Sequence, residues 1–91
     1  PVAEANQNNK QEGFITIEVT KEGRYSVNEI PVESTDLNNL VGKIKVASEG
    51  KTDIPIIINA DALATHQAVV NVMEASRLAG LNKITFSTKL K

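Results

Sequence analysis

The sequence predicts an α/β chain of the α+β two-layer kind, a mixed sheet in the order β-β-α-β-α-β with two helices on one face. Three observations lead there. Three short segments alternate apolar with polar residues, and a fourth is a β-branched apolar run, which are the marks of half-buried and buried strands. Two longer segments repeat apolar residues at i, i+3, i+4 and i+7, the stripe of a helix that buries one side. The outer strands carry Thr, Glu, Ser, Arg and Asn at their second set of positions, so one sheet face stays wet and both helices cover the other.

Residues 1–13 are polar, rich in Asn and Gln, and aperiodic. Such a segment buries too little apolar area to offset its ordering entropy and is expected to be a flexible linker, with one folded domain over residues 14–91. From Phe14, Ile15, Ile17 and Val19 alternate with Thr16, Glu18 and Thr20; after the turn Lys21-Glu22-Gly23, Tyr25 and Val27 resume the alternation. These two pieces form an antiparallel hairpin. Ile30-Pro31-Val32 follows, and Pro31, which has no N–H, keeps that piece out of the centre of a sheet.

Ser34 or Thr35 is the expected N-cap of the first helix, with Asp36 in its first turn. Leu37, Leu40, Val41 and Ile44 make its stripe, Gly42 softens it, and Ser48-Glu49-Gly50 ends it. Ile54-Pro55-Ile56-Ile57-Ile58 reads as a buried strand, and Asn59-Ala60-Asp61 as the chain leaving its carboxyl end. Thr65 caps the second helix, whose buried stripe is Val69, Val72, Met73 and Ser76, widened by Ala68, Ala75 and Ala79. Gly80 stands where a left-handed C′ residue belongs, with Leu81 as its apolar contact. Residues 83–88 alternate again, Ile84 and Phe86 inward and Thr85 and Ser87 outward, before a frayed end at Lys89-Leu90-Lys91.

Composition narrows the function. Aromatics are only Phe14, Tyr25 and Phe86, so the core must be aliphatic, and single-stranded bases find no stacking platform. Ten Lys/Arg against 11 Asp/Glu leave a net charge of -1, too balanced for non-specific nucleic-acid binding. The absence of cysteine removes disulfides, thiolate metal sites and cysteine nucleophiles. Apolar runs such as Ile56-Ile57-Ile58 fall far short of the ~20 residues that span a bilayer. The chain opens on Pro1 rather than Met, so it is expected to be cut from something longer, and any membrane anchor would lie upstream.

No catalytic, cofactor-binding or metal-ligating set emerges. His66 is the sole histidine, and at the first helical position it reads as a solvated side chain rather than a base or ligand. Asp61, at the end of a buried strand, could face a ligand crevice. Its expected role is that of a structural loop carboxylate holding backbone N–H groups. Asp61, Thr65 and His66 lack the strained nucleophile turn and oxyanion loop of a hydrolase, and the five glycines stand singly, so no phosphate loop exists.

The residues do resemble a known family. Tyr25-Ser26-Val27-Asn28-Glu29-Ile30-Pro31-Val32 resembles the Y-x-V-N-G-x-x-V stretch of ExbD/TolR proteins, and Asn59-Ala60-Asp61 their R-A-D strand end. Val69-Val70-Asn71-Val72-Met73-Glu74-Ala75 is similar to V-V-x-V-M-D-x-A, and Ala79-Gly80-Leu81-Asn82-Lys83-Ile84 to the closing A-G-hydrophobic-x-K/R-I. Glu29 replaces a turn glycine, Asn59 a basic residue, Glu74 an Asp, and His66-Gln67 a frequent Tyr-Gly; the Thr-His-Gln version looks more like ExbD than TolR.

The resemblance implies the periplasmic domain of a single-pass bacterial inner-membrane protein in a complex driven by the proton motive force. Its partners would be an ExbB/TolQ-type channel protein and a TonB/TolA-type client. It also implies no enzymatic activity, no cofactor and a homodimer, with the membrane met only through a helix upstream of this chain. The edge expected to pair with a partner or second copy is Ile84, Thr85, Phe86, Ser87 and Thr88. A second expectation is a peptidoglycan-binding module using Thr16, Ser26, Asn28, Thr85 and Ser87.

Overall fold

The computed structural model describes residues 13–89. Five strands and two helices follow in the order β1 (Ile15–Val19), β2 (Tyr25–Val27), β3 (Ile30–Pro31), α1 (Leu37–Ser48), β4 (Ile56–Asp61), α2 (His66–Leu78) and β5 (Ile84–Lys89). The sheet runs β3-β2-β1-β4-β5. β1 pairs antiparallel with β2 and parallel with β4, and β5 is parallel to β4. The sheet is therefore mixed, as expected, with one addition: the Pro31 segment forms a two-residue strand at the rim, antiparallel to β2. Residues 1–12, almost all of the expected linker, and Leu90 and Lys91 lie outside the described residues.

Alternation carries the core. Ile15, Ile17 and Val19 of β1, Tyr25 and Val27 of β2, and Ile56 and Ile58 of β4 are all buried on one face. Leu40 and Ile44 of α1 and Ala68, Val72 and Ala75 of α2 close over them, with Val32 and Leu81 sealing the ends. Tyr25 is the one buried aromatic, its hydroxyl 3.5 Å from the Ala68 carbonyl oxygen, a long contact. Two buried hydroxyls are satisfied within their helices: Ser76 Oγ donates to the Val72 carbonyl (2.8 Å) and Ser48 Oγ to that of Lys45 (3.0 Å).

Several local expectations shift. The N-cap of α1 is Asp36, whose side chain makes no cap bond; Ser34 Oγ is instead engaged by the Asp36 N–H (3.0 Å). The Ser34 hydroxyl serves the approach to the helix rather than its first turn. β4 does not end at Ile58: Asn59, Ala60 and Asp61 continue it, because β5 pairs with all three and β1 with the first two. Lys89 likewise belongs to β5 through its pairing with Asp61. In α2 the buried line is Ala68, Val72, Ala75 and Ser76, whereas Val69 and Met73 flank it half-buried.

The termini of α2 are well determined. Thr65 Oγ1 accepts from the Ala68 N–H (3.1 Å) at the start. At the end Gly80 takes φ 94, its N–H reaches the Arg77 carbonyl (2.9 Å), and the Leu81 N–H reaches that of Ser76 (3.0 Å). This is the paired bonding of a Schellman motif, with buried Leu81 as its apolar lock. It turns the chain back into β5.

Candidate functional site

β5 forms one rim of the sheet. In a parallel ladder alternate residues direct their backbone groups to one neighbour. The Ile56 N–H bonds to the Lys83 carbonyl and Ile56 is in register with Ile84, so odd-numbered residues of β5 bond to β4. Ile84, Phe86 and Thr88 thus turn their N–H and C=O groups outward. Thr85, Phe86, Ser87 and Thr88 are exposed and Ile84 half-buried. Phe86 is in register with buried Ile58 and shares the helix-covered face, yet it is 49% exposed. The inward position expected for Phe86 is right for the face and wrong for the burial: the helices pack over β1, β2 and β4.

The opposite rim differs. β3 has two residues, and Pro31 contributes no N–H. The turn before it, Asn28-Glu29, has φ 51 and φ 70, the pair of positive values that a type I′ hairpin requires. Asn28 anchors the turn, its N–H donating to the Thr16 carbonyl (2.8 Å) and its Oδ1 accepting from the Thr16 N–H (3.1 Å). Glu29, where the family pattern has glycine, occupies a conformation that costs an L residue about 1–2 kcal/mol.

Register also lays out the open face. Ser26, Glu18, Asn59 and Ser87 form one row across four strands, and Thr16, Ile57 and Thr85 the next. Of the residues expected to bind glycan, Thr16, Ser26, Thr85 and Ser87 stand on this face, while the Asn28 amide oxygen is already engaged.

Asp61 Oδ1 accepts the Leu63 N–H at 2.8 Å, and the Asp61 carbonyl accepts that of Ala64 (2.9 Å). The carboxylate holds the turn into α2, and Leu63 is left 74% exposed. His66 is exposed at the first position of α2. Among the described residues no group of three or more His, Asp and Glu side chains is placed to hold a metal ion, and no helix is long and apolar enough to cross a membrane.

One feature escaped sequence reasoning. A groove of about 230 Å³ lies where α1 meets β2 and β3, lined by Val27, Asn28, Ile30, Lys43, Val46 and Ala47. Ile30 and Val46 are 66% and 76% exposed. The signal was Val46 itself, an apolar residue off the Leu37, Leu40, Val41 and Ile44 stripe.

A family model described as "Biopolymer transport protein ExbD/TolR" matches residues 1–91. The chain is also similar to "Biopolymer transport protein ExbD" of Neisseria gonorrhoeae, 27% identical over 89 residues and 97% of this chain. It spans 62% of that relative's length. With a match along its whole length, and with the hairpin, strand end and second helix in the family's order, the chain belongs to the ExbD/TolR family of biopolymer transport proteins.

Proposed function

We propose that this chain is the periplasmic domain of an inner-membrane, proton-motive-force-driven energy-transduction complex, and that it acts without enzymatic chemistry. In this reading it couples an ExbB/TolQ-type motor to a TonB/TolA-type client, as a homodimer whose β5 rim recruits another strand. The supporting observation is the rim itself. β5 runs for six residues with no proline, its outward N–H and C=O groups at Ile84, Phe86 and Thr88 await a partner, and Phe86 stands half-exposed beside them. An unpaired edge of this length is a template for strand addition.

Thr88→Pro tests it, because it deletes an outward donor and leaves the bonds to β4 in place. The expected result is a wild-type dimer by sedimentation and a monomeric variant with unchanged circular dichroism. A wild-type chain that stays monomeric at millimolar concentration, and whose β5 amides do not shift with a TonB- or TolA-type peptide, would remove the proposal.

A peptidoglycan-binding reading draws on a different observation, the polar row Ser26, Glu18, Asn59 and Ser87 on the open face. The scarcity of aromatics for sugar stacking weighs against tight binding. Co-sedimentation with purified sacculi, lost in Ser87→Ala with Asn59→Ala, distinguishes it from strand addition.

A further inference from the structure

The groove between α1 and the β2–β3 turn lies on the opposite side of the sheet from β5, so it can be occupied whatever happens at that rim. Its floor and walls are aliphatic: Val27, Ile30, Val46 and Ala47. Ile30 and Val46 are both more than half exposed, as are Leu63 and Leu78 elsewhere on the surface, but these two line one groove. Lys43 is the only charged side chain lining the groove, and among the described residues it has no ion-pair partner. Glu29 follows Asn28 in the turn but is not part of the lining. The turn is held rigidly by the two Asn28–Thr16 bonds, so the wall carrying Ile30 is formed before any ligand arrives.

Size and chemistry restrict the occupant. At about 230 Å³ the groove is smaller than the ~300–1,000 Å³ pockets that enclose cofactors or drug-sized ligands. It has room for one or two side chains. A strand cannot be added along this rim as it can at β5, since β3 is two residues long and Pro31 has no N–H to donate. Recognition must therefore go through side chains. An apolar slot lined by a single cation, without an ion-pair partner among the described residues, is complementary to a branched aliphatic residue next to a carboxylate.

We propose that this groove is a second interaction site, which binds an acidic, aliphatic peptide segment by seating a Leu-type side chain between Ile30 and Val46 and pairing the neighbouring carboxylate with Lys43. The site goes beyond the strand-addition reading and does not depend on it.

The experiment is an amide-resolved NMR titration of the whole chain with two peptides, Ac-Gly-Leu-Glu-Gly-NH2 and its uncharged counterpart Ac-Gly-Leu-Gln-Gly-NH2. Shifts are expected at Val27, Asn28, Ile30, Val46 and Ala47, with the Glu peptide binding roughly two- to five-fold tighter than the Gln peptide, the range of an exposed ion pair. In Lys43→Gln that difference disappears. Val46→Ser, at a position too exposed to threaten folding, weakens both peptides. Thr88→Pro leaves all of this unchanged, which separates failure here from failure of the β5 reading. The proposal is overturned if the groove amides do not move at millimolar peptide or if the shifts fall on β5 or the open face. It is equally overturned if the Glu-over-Gln preference survives in Lys43→Gln, or if Val46→Ser binds as the wild type does.

Discussion

One substitution, Gly→Ala, should act with opposite signs at two positions of this fold. At Gly80 a Cβ would meet only Thr52 Cγ2 at 3.6 Å, an ordinary contact, so sterics from neighbours are not the obstacle. The obstacle is φ 94, which an L residue adopts at a cost of roughly 1–3 kcal/mol. Alanine also narrows the unfolded ensemble, which returns about 0.4–1 kcal/mol. The net expectation for Gly80→Ala is a loss of about 1–2 kcal/mol. At Gly42, inside α1, φ is helical and a Cβ meets nothing within 4 Å. There alanine should add about 0.5–1 kcal/mol through helix propensity alone. Urea unfolding of both variants reads the two shifts, and in a domain of this size 1 kcal/mol moves the melting temperature by about 4–8 °C. Equal signs for the two variants, with unchanged m-values, would refute the assignment of Gly80 as the left-handed cap that turns α2 into β5.

Three further outcomes follow from other local features. Glu29→Gly should stabilise by about 0.5–1 kcal/mol, the relief of φ 70 less the greater backbone entropy that glycine loses on folding; thermal melts check it. Thr65→Ala removes the acceptor for the Ala68 N–H and should cost about 1 kcal/mol, with Thr65→Ser recovering most of it in the same melts. Ile58→Ala, at a fully buried position between β1 and β5, should cost about 2–5 kcal/mol in denaturant unfolding.

What could be read from the sequence was whatever a local period or a local cap decides. Ile15, Ile17 and Val19 announce a half-buried strand, and Gly80-Leu81 announces a helix stop, because the physics of each lies within a few residues. The reach of β4 was not legible. Asn59, Ala60 and Asp61 have poor strand propensity and are held by pairing with β5 along all three and with β1 along the first two. A segment flanked on both sides takes its conformation from its neighbours. Asp36 displaced Ser34 and Thr35 as the cap for a related reason, since the Ser34 hydroxyl found the nearer Asp36 N–H. For the candidate sites, the groove needed Ile30 and Val46, 16 positions apart, to be brought together, and no period connects them.

The two rims of the sheet differ in how open they leave an edge to pairing with another strand. Folded proteins blunt exposed edges by shortening them, by proline or by charge. β3 has the first two devices, a length of two residues and Pro31. β5 has neither across six residues, and the aromatic ring at its middle, Phe86, sits half in water on the side where the helices stop short. One chain thus treats its two edges in opposite ways. Side chains are exposed at both rims, Ile30 and Pro31 at β3 as well as Phe86 at β5, so the difference lies in the backbone. β3 is too short and has no N–H at Pro31, whereas β5 keeps outward N–H and C=O groups at Ile84, Phe86 and Thr88. The asymmetry is what gives the proposed division of labour its physical basis: backbone pairing at β5, and side-chain recognition at the groove beside β3, where a strand cannot dock.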